Sequence, residues 1–332
     1  LNSATTLNYQ ISGVEVAGGT ASPASDLGKV TGEVSIAAGA TTGTFTLTAT
    51  DDGVIEGYEG FKVTVLNSSF ATVATSGNVV IKDGATSGTT QSLLTTTDNL
   101  TGTSGNDTFN SVVILTAATA GTTLSAGDTI AAGDGIDTLN ISASGLDNAG
   151  ITTQAFQATG LEKILVSNFN TGSASQTFDT TLVSGLTTVG TSSSGAAGDT
   201  VFTGLNAIVA AEMKNGAGDL TLTYGATAIA GTADTQALAV SNMSAGTFVA
   251  AGVETVAVTT SLAASTLTAI TATSATKITV AGDQNLTVTG AISTAAVDAS
   301  TMTGALTMLA GAANQTITGG TGNDVIDMST NL

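Results

Sequence analysis

The side chains in this chain that can do chemistry are carboxylates, and their most ordered pattern runs from Leu124 to Ser142, LSAGDTIAAGDGIDTLNIS. Asp128-Thr-Ile130 and Asp137-Thr-Leu139 stand nine residues apart, each behind glycine: Gly127 before the first, Gly133 and Gly135 before the second. Glycine allows a tight turn that leaves carbonyls free, aspartate adds a hard oxygen, and the aliphatic residue points into a core. Donors of that kind suit calcium. Two more copies occur, Gly102-Thr-Ser-Gly105-Asn-Asp107-Thr-Phe109 and Gly319-Gly320-Thr-Gly322-Asn-Asp324-Val-Ile326-Asp327. A single copy reads as an ordinary turn. Three copies with aligned aliphatics point to calcium, with Gly102, Gly105, Asp107, Asp128, Gly133, Gly135, Asp137, Gly320, Gly322, Asp324 and Asp327 as the candidate residues.

Against the nonapeptide G-G-x-G-x-D-x-U-x the last copy fits completely. The copy at Asp137 departs only at Ala132, and the copy at Asp107 has Thr103 at the second glycine. The pattern resembles the RTX repeats of secreted bacterial proteins, and the resemblance implies a calcium-binding β-roll.

A second acidic stretch is Asp51-Asp52-Gly-Val-Ile-Glu56-Gly-Tyr-Glu59-Gly-Phe61. Carboxylates this dense repel one another unless a cation sits among them, although a solvated acidic turn is the alternative. Asp26 follows Gly-Thr-Ala-Ser-Pro-Ala-Ser upstream, and Ile81-Lys-Asp83-Gly closes the segment. The three stretches, in this order, resemble the Calx-β domain. That resemblance implies an antiparallel β-sandwich with calcium at one loop end, held by Asp26, Asp51, Asp52, Glu56, Glu59 and Asp83. The family usually has an acidic residue in a first strand, and the chain starts too late to show it.

Composition narrows the chemistry further. The 332 residues carry a net charge of -19, yet only 9% are charged and 42% are hydrophobic, so this is a folding chain and not a disordered polyelectrolyte. There is no His, Cys, Trp or Arg, and all six cations are Lys. Ordinary zinc, copper and haem sites, thiol nucleophiles and Ser-His-Asp triads are excluded on residue types alone, as is a bidentate arginine grip on phosphate. Nucleic acid should be repelled. Calcium is the expected cofactor and no enzyme activity is expected. A β-helix polysaccharide-acting enzyme is the weakest rival, since such sites ordinarily need Arg, Lys or His in a basic groove.

The elements that must position these carboxylates are short strands. Leu7, Tyr9 and Ile11, then Val34 and Ile36, Phe45 and Leu47, Phe61, Val63 and Val65, and Val79 and Ile81 alternate between turns. They predict an antiparallel β-sandwich over 1–84. Gly84-Ala-Thr-Ser-Gly-Thr-Thr-Gln-Ser92 lacks periodicity, and residues 85–101 read as a linker. Over 102–332, Gly160-Leu-Glu-Lys-Ile-Leu-Val166 resembles Gly252-Val-Glu-Thr-Val-Ala-Val258, and Gly218-Asp-Leu-Thr-Leu222 resembles Gly282-Asp-Gln-Asn-Leu-Thr-Val288. Short strands between Gly, Asp and Asn turns predict an irregular parallel β-solenoid or β-roll, so the chain is expected to be all-β. Helical spacing of Leu205, Ile208, Val209 and Met213 predicts one short helix, and 148–159 a second. Asp147 reads as a plain turn aspartate. The uncharged run 255–276 is too rich in Thr and Ser for a transmembrane span and reads as strands.

Scarce aromatics, richness in Ala, Thr, Gly, Ser and Val, G-x-E-x-[IV]-x-V strands, and Asp298-Ala-Ser-Thr-Met-Thr-Gly304 before the last repeat resemble RTX-type bacterial surface-layer proteins. The resemblance implies type I secretion, a place in the S-layer at the cell surface, and assembly with identical subunits in calcium, with cell-envelope polysaccharide as a further candidate partner. A calcium-rigidified stalk of a large secreted adhesin is the alternative. The opening Leu1-Asn-Ser-Ala lacks signal-peptide character, and the chain reads as a fragment of a longer protein.

Overall fold

The computed structural model describes residues 2–15, 19–20, 27, 29–48, 58–82, 88–115, 121–147, 152–153 and 156–328. The chain divides into two compact units, Leu1–Ser87 and Gly88–Leu332. All regular structure among the described residues is strand.

In the first unit, β1 (Thr5–Gly13), β2 (Gly19–Thr20), β3 (Thr31–Ile36), β4 (Tyr58–Leu66), β5 (Thr72–Thr75) and β6 (Val79–Lys82) form one sheet of order β2-β4-β1-β3, with β5 and β6 also on β4. Pairing is antiparallel apart from the short β2–β4 contact. Alternation places Tyr9, Ile11 and Phe61 in a small core with Leu27. The strand expected at Phe45 and Leu47 is absent from the described residues. Both side chains nonetheless pack on that core, Phe45 stacked on Tyr9 with ring centroids 4.2 Å apart.

The second unit is a parallel β-solenoid. Its spine is an eleven-stranded sheet, called here the long sheet. Its strands in chain order are Thr90–Ser92, Thr108–Leu115, Thr138–Gly145, Lys163–Asn170, Thr188–Ser192, Ala210–Lys214, Thr235–Ser241, Thr255–Thr260, Lys277–Gly282, Ala296–Met302 and Thr316–Thr318. Three shorter sheets, of three, six and four strands, close the coil. Rungs vary in perimeter. Thr138 stacks on Thr108, thirty residues back, whereas Thr255 stacks on Thr235, twenty back. Register is held by an unbroken inward column, Phe109, Leu139, Ile164, Val189, Ala211, Leu238, Val258 and Val280, each at most 1% exposed. A side chain of Leu or Ile size buried this fully contributes about 1.5–3 kcal/mol. A one-residue slip would turn the whole column outward.

Where the two helices were expected, the regular structure among the described residues is strand. Leu205 ends strand Thr200–Leu205, Met213 lies in Ala210–Lys214, and within 148–159 the described residues include strands Thr152–Thr153 and Gln157–Thr159. Helical spacing at 205–213 arose because two strands flank a bend (Asn206 and Ala207), which places Leu205, Val209 and Met213 on one side without a helix. The segment read as a linker also holds strands. Thr90–Ser92 pairs with Thr108–Asn110, and Asn99–Thr101 pairs with Thr129–Ala131, so the first rung of the solenoid begins there.

One corner of the coil is built from left-handed residues. Ser193, Asn215, Asn242 and Leu262, with φ of 61°, 55°, 53° and 62°, follow four successive strands of the long sheet. Ser193 N–H donates to Lys214 O at 2.9 Å, Asn215 N–H to Ser241 O at 3.0 Å, and Asn242 Nδ2 to Asn215 Oδ1 at 3.1 Å. Asn accepts this conformation easily; Leu does not. Leu262 is 89% exposed, so it recovers little by packing. Leu262→Asn should therefore stabilise the chain by about 1–2 kcal/mol in urea unfolding.

Candidate metal centre

The aspartates of the nine-residue pattern sit at solenoid corners, immediately before strands, where backbone N–H groups turn away from the sheet ladders. Their carboxylates collect those donors, often across rungs. Asp107 Oδ1 accepts Thr89 N–H at 2.5 Å and Thr89 Oγ1 at 2.6 Å, and its Oδ2 accepts Thr103 N–H at 2.6 Å. Asp107 N–H in turn donates to Asp137 Oδ1 at 2.7 Å, and Asp137 N–H donates to Glu162 Oε2 at 2.9 Å. Thr89, Asp107, Asp137 and Glu162 thus form one continuous ladder up a corner. A second corner repeats the device, with Asp98 N–H donating to Asp128 Oδ1 at 3.0 Å. In the last rung, Leu306 N–H donates to Asp324 Oδ1 at 2.8 Å. Asp128 and Asp137 therefore each stack on a counterpart thirty residues away, and they open strands of different sheets.

Four of these five corner aspartates also take a donor from their own turn. Leu94 N–H reaches Asp98 Oδ2 at 2.7 Å, Thr103 N–H reaches Asp107, Ser125 N–H reaches Asp128 Oδ2 at 2.7 Å, and Gly320 N–H reaches Asp324 Oδ2 at 2.7 Å. Asp137 differs. Its residue is fully buried, and its Oδ2 has no hydrogen-bond partner. The backbone explains this: Gly133 and Gly135 take φ of 107° and 118°, whereas the glycines before Asp107 and Asp324 do not have positive φ. The turn also lies tight against the rung below, where a Cβ at Gly133 would meet Thr103 O at 2.0 Å and one at Gly135 would meet Gly105 O at 2.6 Å. Glycine is thus required here by both conformation and space.

The electrostatics follow. Burial pushes the Asp137 carboxyl up to about 6, opposed by the Asp107 N–H and reinforced by the charges of Glu162, Asp107 and Asp134. At Asp107 burial also raises the pKa, but hydrogen bonds from Thr103 and Thr89 outweigh it and hold the carboxyl below its usual value. An acid raised in the fold favours the protonated folded state, so that contribution is complete below about pH 4 and is lost as pH rises through 6. Without divalent ions the wild type should therefore lose about 1–3 kcal/mol across that window, and Asp137→Asn should remove the loss. Parallel melts in chelator at several pH values test this.

The donor set is hard oxygen throughout. Among the described solenoid residues, Asp137 and Asp234 each have a buried carboxylate oxygen without a donor, and only Asp137 of the two is a fully buried residue in the carboxylate ladder, so there a cation would relieve both repulsion and desolvation. Among the described residues no group of three or more acidic side chains converges as a metal cage. A calcium ion would accordingly rest on Asp137, with Glu162 and Asp134 nearby and carbonyls of the turns at Gly102–Gly105 and Gly133–Gly135 as the remaining oxygen supply. The glycines of the last repeat, without the positive φ, are also stacked on a neighbouring rung, Gly320 and Gly322 lying against Met302 O and Gly304 O, while Asp324 is already supplied with donors. Asp327 is exposed at the end of strand Val325–Asp327.

In the first unit Glu59 is 1% exposed, and its Cα pairs with Ile81 and Thr20 across β4. Asp26, Asp51, Asp52, Glu56 and Asp83 lie outside the described residues. Two solenoid residues carry more than their sequence suggested. Asp98 lies nine residues before Asp107, just as Asp128 lies nine before Asp137, so a thirty-residue comparison would have revealed it. Asp147, read as a plain turn residue, is 4% exposed and accepts Gln176 Nε2 at 2.8 Å, while its N–H donates to Asn170 Oδ1 at 3.0 Å. It is another stacked corner.

No family model matches the chain, and no curated protein sequence matches it.

Proposed function

We propose that this chain is a structural module of a secreted bacterial surface layer, folded and assembled with calcium. The observation that carries the reading is Asp137, buried in a carboxylate ladder with one oxygen lacking a donor. On this reading calcium at the glycine turns replaces the proton that the buried acid otherwise favours, and so links folding to an exterior rich in calcium. The N-terminal unit is taken to be a Calx-β-type sandwich that binds calcium at the loops around Glu59. Type I secretion, a cell-surface location, contact with identical subunits and anchoring to envelope polysaccharide belong to the same proposal, and no catalytic role is assigned.

The test is thermal unfolding in chelator, in millimolar calcium and in millimolar magnesium, followed by electron microscopy of the calcium form. A ligand bound only by the folded state at 100 times its Kd adds about 2.7 kcal/mol. Calcium should raise Tm, magnesium should do so poorly because it demands strict octahedral geometry, and planar arrays should form. Identical melts in chelator and calcium would refute the calcium part. Isolated rods without arrays would favour the adhesin stalk.

A further inference from the structure

The charge of the solenoid is divided by face. Residues 88–332 contain seventeen acidic residues and three lysines. Lys163, Lys214 and Lys277 all lie in strands of the long sheet, which holds only two of the acids, Glu212 and Asp298. Lys163 Nζ meets Glu212 at 2.8 Å, Lys214 Nζ meets it at 3.0 Å, and Lys277 Nζ meets Asp298 at 2.9 Å. Lys163 reaches Glu212 from two strands away, and in the strand between them Glu212 is paired with Gly190, where a Cβ would meet the Glu212 Cβ at 2.8 Å. The strands of the long sheet thus hold three cations against two acids, whereas the other fifteen acids of the solenoid lie outside those strands, where there is no lysine.

The same face carries the strained Leu262. It lines a hollow of about 180 Å³ together with Glu212, Lys214, Ala239, Ser241 and Ser261. A leucine in left-handed conformation, 89% exposed, sits where the three stacked positions before it hold Ser, Asn and Asn. Local stability does not account for it, whereas an apolar anchor beside a charged hollow is the composition of an interface centre.

We infer that this face, centred on Lys163, Glu212, Lys214 and Leu262, is a self-association surface that seats on the carboxylate-bearing turns of a second copy of this chain. The inference rests on the surface-layer reading and gives it a contact. Charge complementarity selects the occupant, since the exposed Asp134 and Asp283 turns are the opposite of this face in sign. An acidic polysaccharide would compete for the same lysines and is an outcome of the test.

Sedimentation velocity of the full chain at fixed millimolar calcium reads the association. Leu262→Asn should weaken it about tenfold or more while raising Tm, a combination that loss of folding cannot produce. Lys163→Gln with Lys214→Gln should weaken it similarly and remove most of its dependence on ionic strength. Carbodiimide coupling of the wild type should join Lys214 to carboxylates of a second copy. Unchanged association in both variants overturns the inference while leaving the surface-layer reading in place, since arrays would then form through another face. A wild type that stays monomeric in calcium overturns both. Monomers that bind an anionic polysaccharide through these lysines would overturn the inference and assign the face to that ligand.

Discussion

Gly133→Ala should destabilise the solenoid by about 2–5 kcal/mol. Two independent costs add. A φ of 107° costs an L residue roughly 1–2 kcal/mol, and a Cβ 2.0 Å from Thr103 O forces two rungs apart, an overpacking worth about 1–3 kcal/mol. The neighbour is backbone, so no side-chain rotation can relieve it. Gly77→Ala is the comparison: nothing lies within 4 Å and its φ is not positive, so its effect should stay within about 0.5 kcal/mol. Denaturant midpoints at constant m-value decide between them. Equal midpoints would mean that the glycine turns are not held against one another and would remove the frame of the proposed cation site as well.

Phe202→Ala should cost about 3–5 kcal/mol. Phe202 is fully buried and pairs in register with Phe178 below and Leu222 above, its ring centroid 5.9 Å from that of Phe178. In a solenoid each rung is stabilised by its two neighbours, so a cavity in the middle weakens two interfaces at once. The expected signature is a second transition in thermal unfolding, with the rungs on either side of Phe202 melting separately. A single transition lowered by under 1 kcal/mol would show that the coil repacks around the gap.

The sequence made the strands legible where alternation was strong. Thr255–Thr260 and Lys277–Gly282 were readable because Val256, Val258, Ile278 and Val280 recur with period two. The parallel stacking was readable from the two G-x-E-x-[IV]-x-V segments, which do open strands of the same sheet. The helix expected at 205–213 failed because a bend between strands imitates helical spacing, and periodicity over so short a span cannot separate the two. Residues 90–101 were misread for another reason: three-residue strands in a Thr-rich stretch owe their order to the rung above them, which local sequence does not show. At the candidate centre the motif picked out Asp107, Asp137 and Asp324 equally. What separates them is a glycine turn's handedness and a missing N–H donor, and neither is written in residue identity. The αL position of Leu262 was equally invisible, because its stacked predecessors are scattered through rungs of unequal length.

That inequality has a consequence for how the chain tolerates change. Thirty residues separate Thr108 from Thr138, twenty-five separate Thr138 from Lys163, and nineteen separate Lys277 from Ala296, yet the long sheet stays paired past all of them, with a register shift between Thr279 and Ala281 in the last of these pairings. Perimeter is therefore free while the spine is fixed, since lengthening a surface loop costs little beyond a slowly growing closure entropy. Peptides grafted between strands of the shorter sheets should be displayed at a defined height along the coil, and each graft site is numbered by the rung that carries it. In that use the solenoid would serve as a ruler with interchangeable side arms.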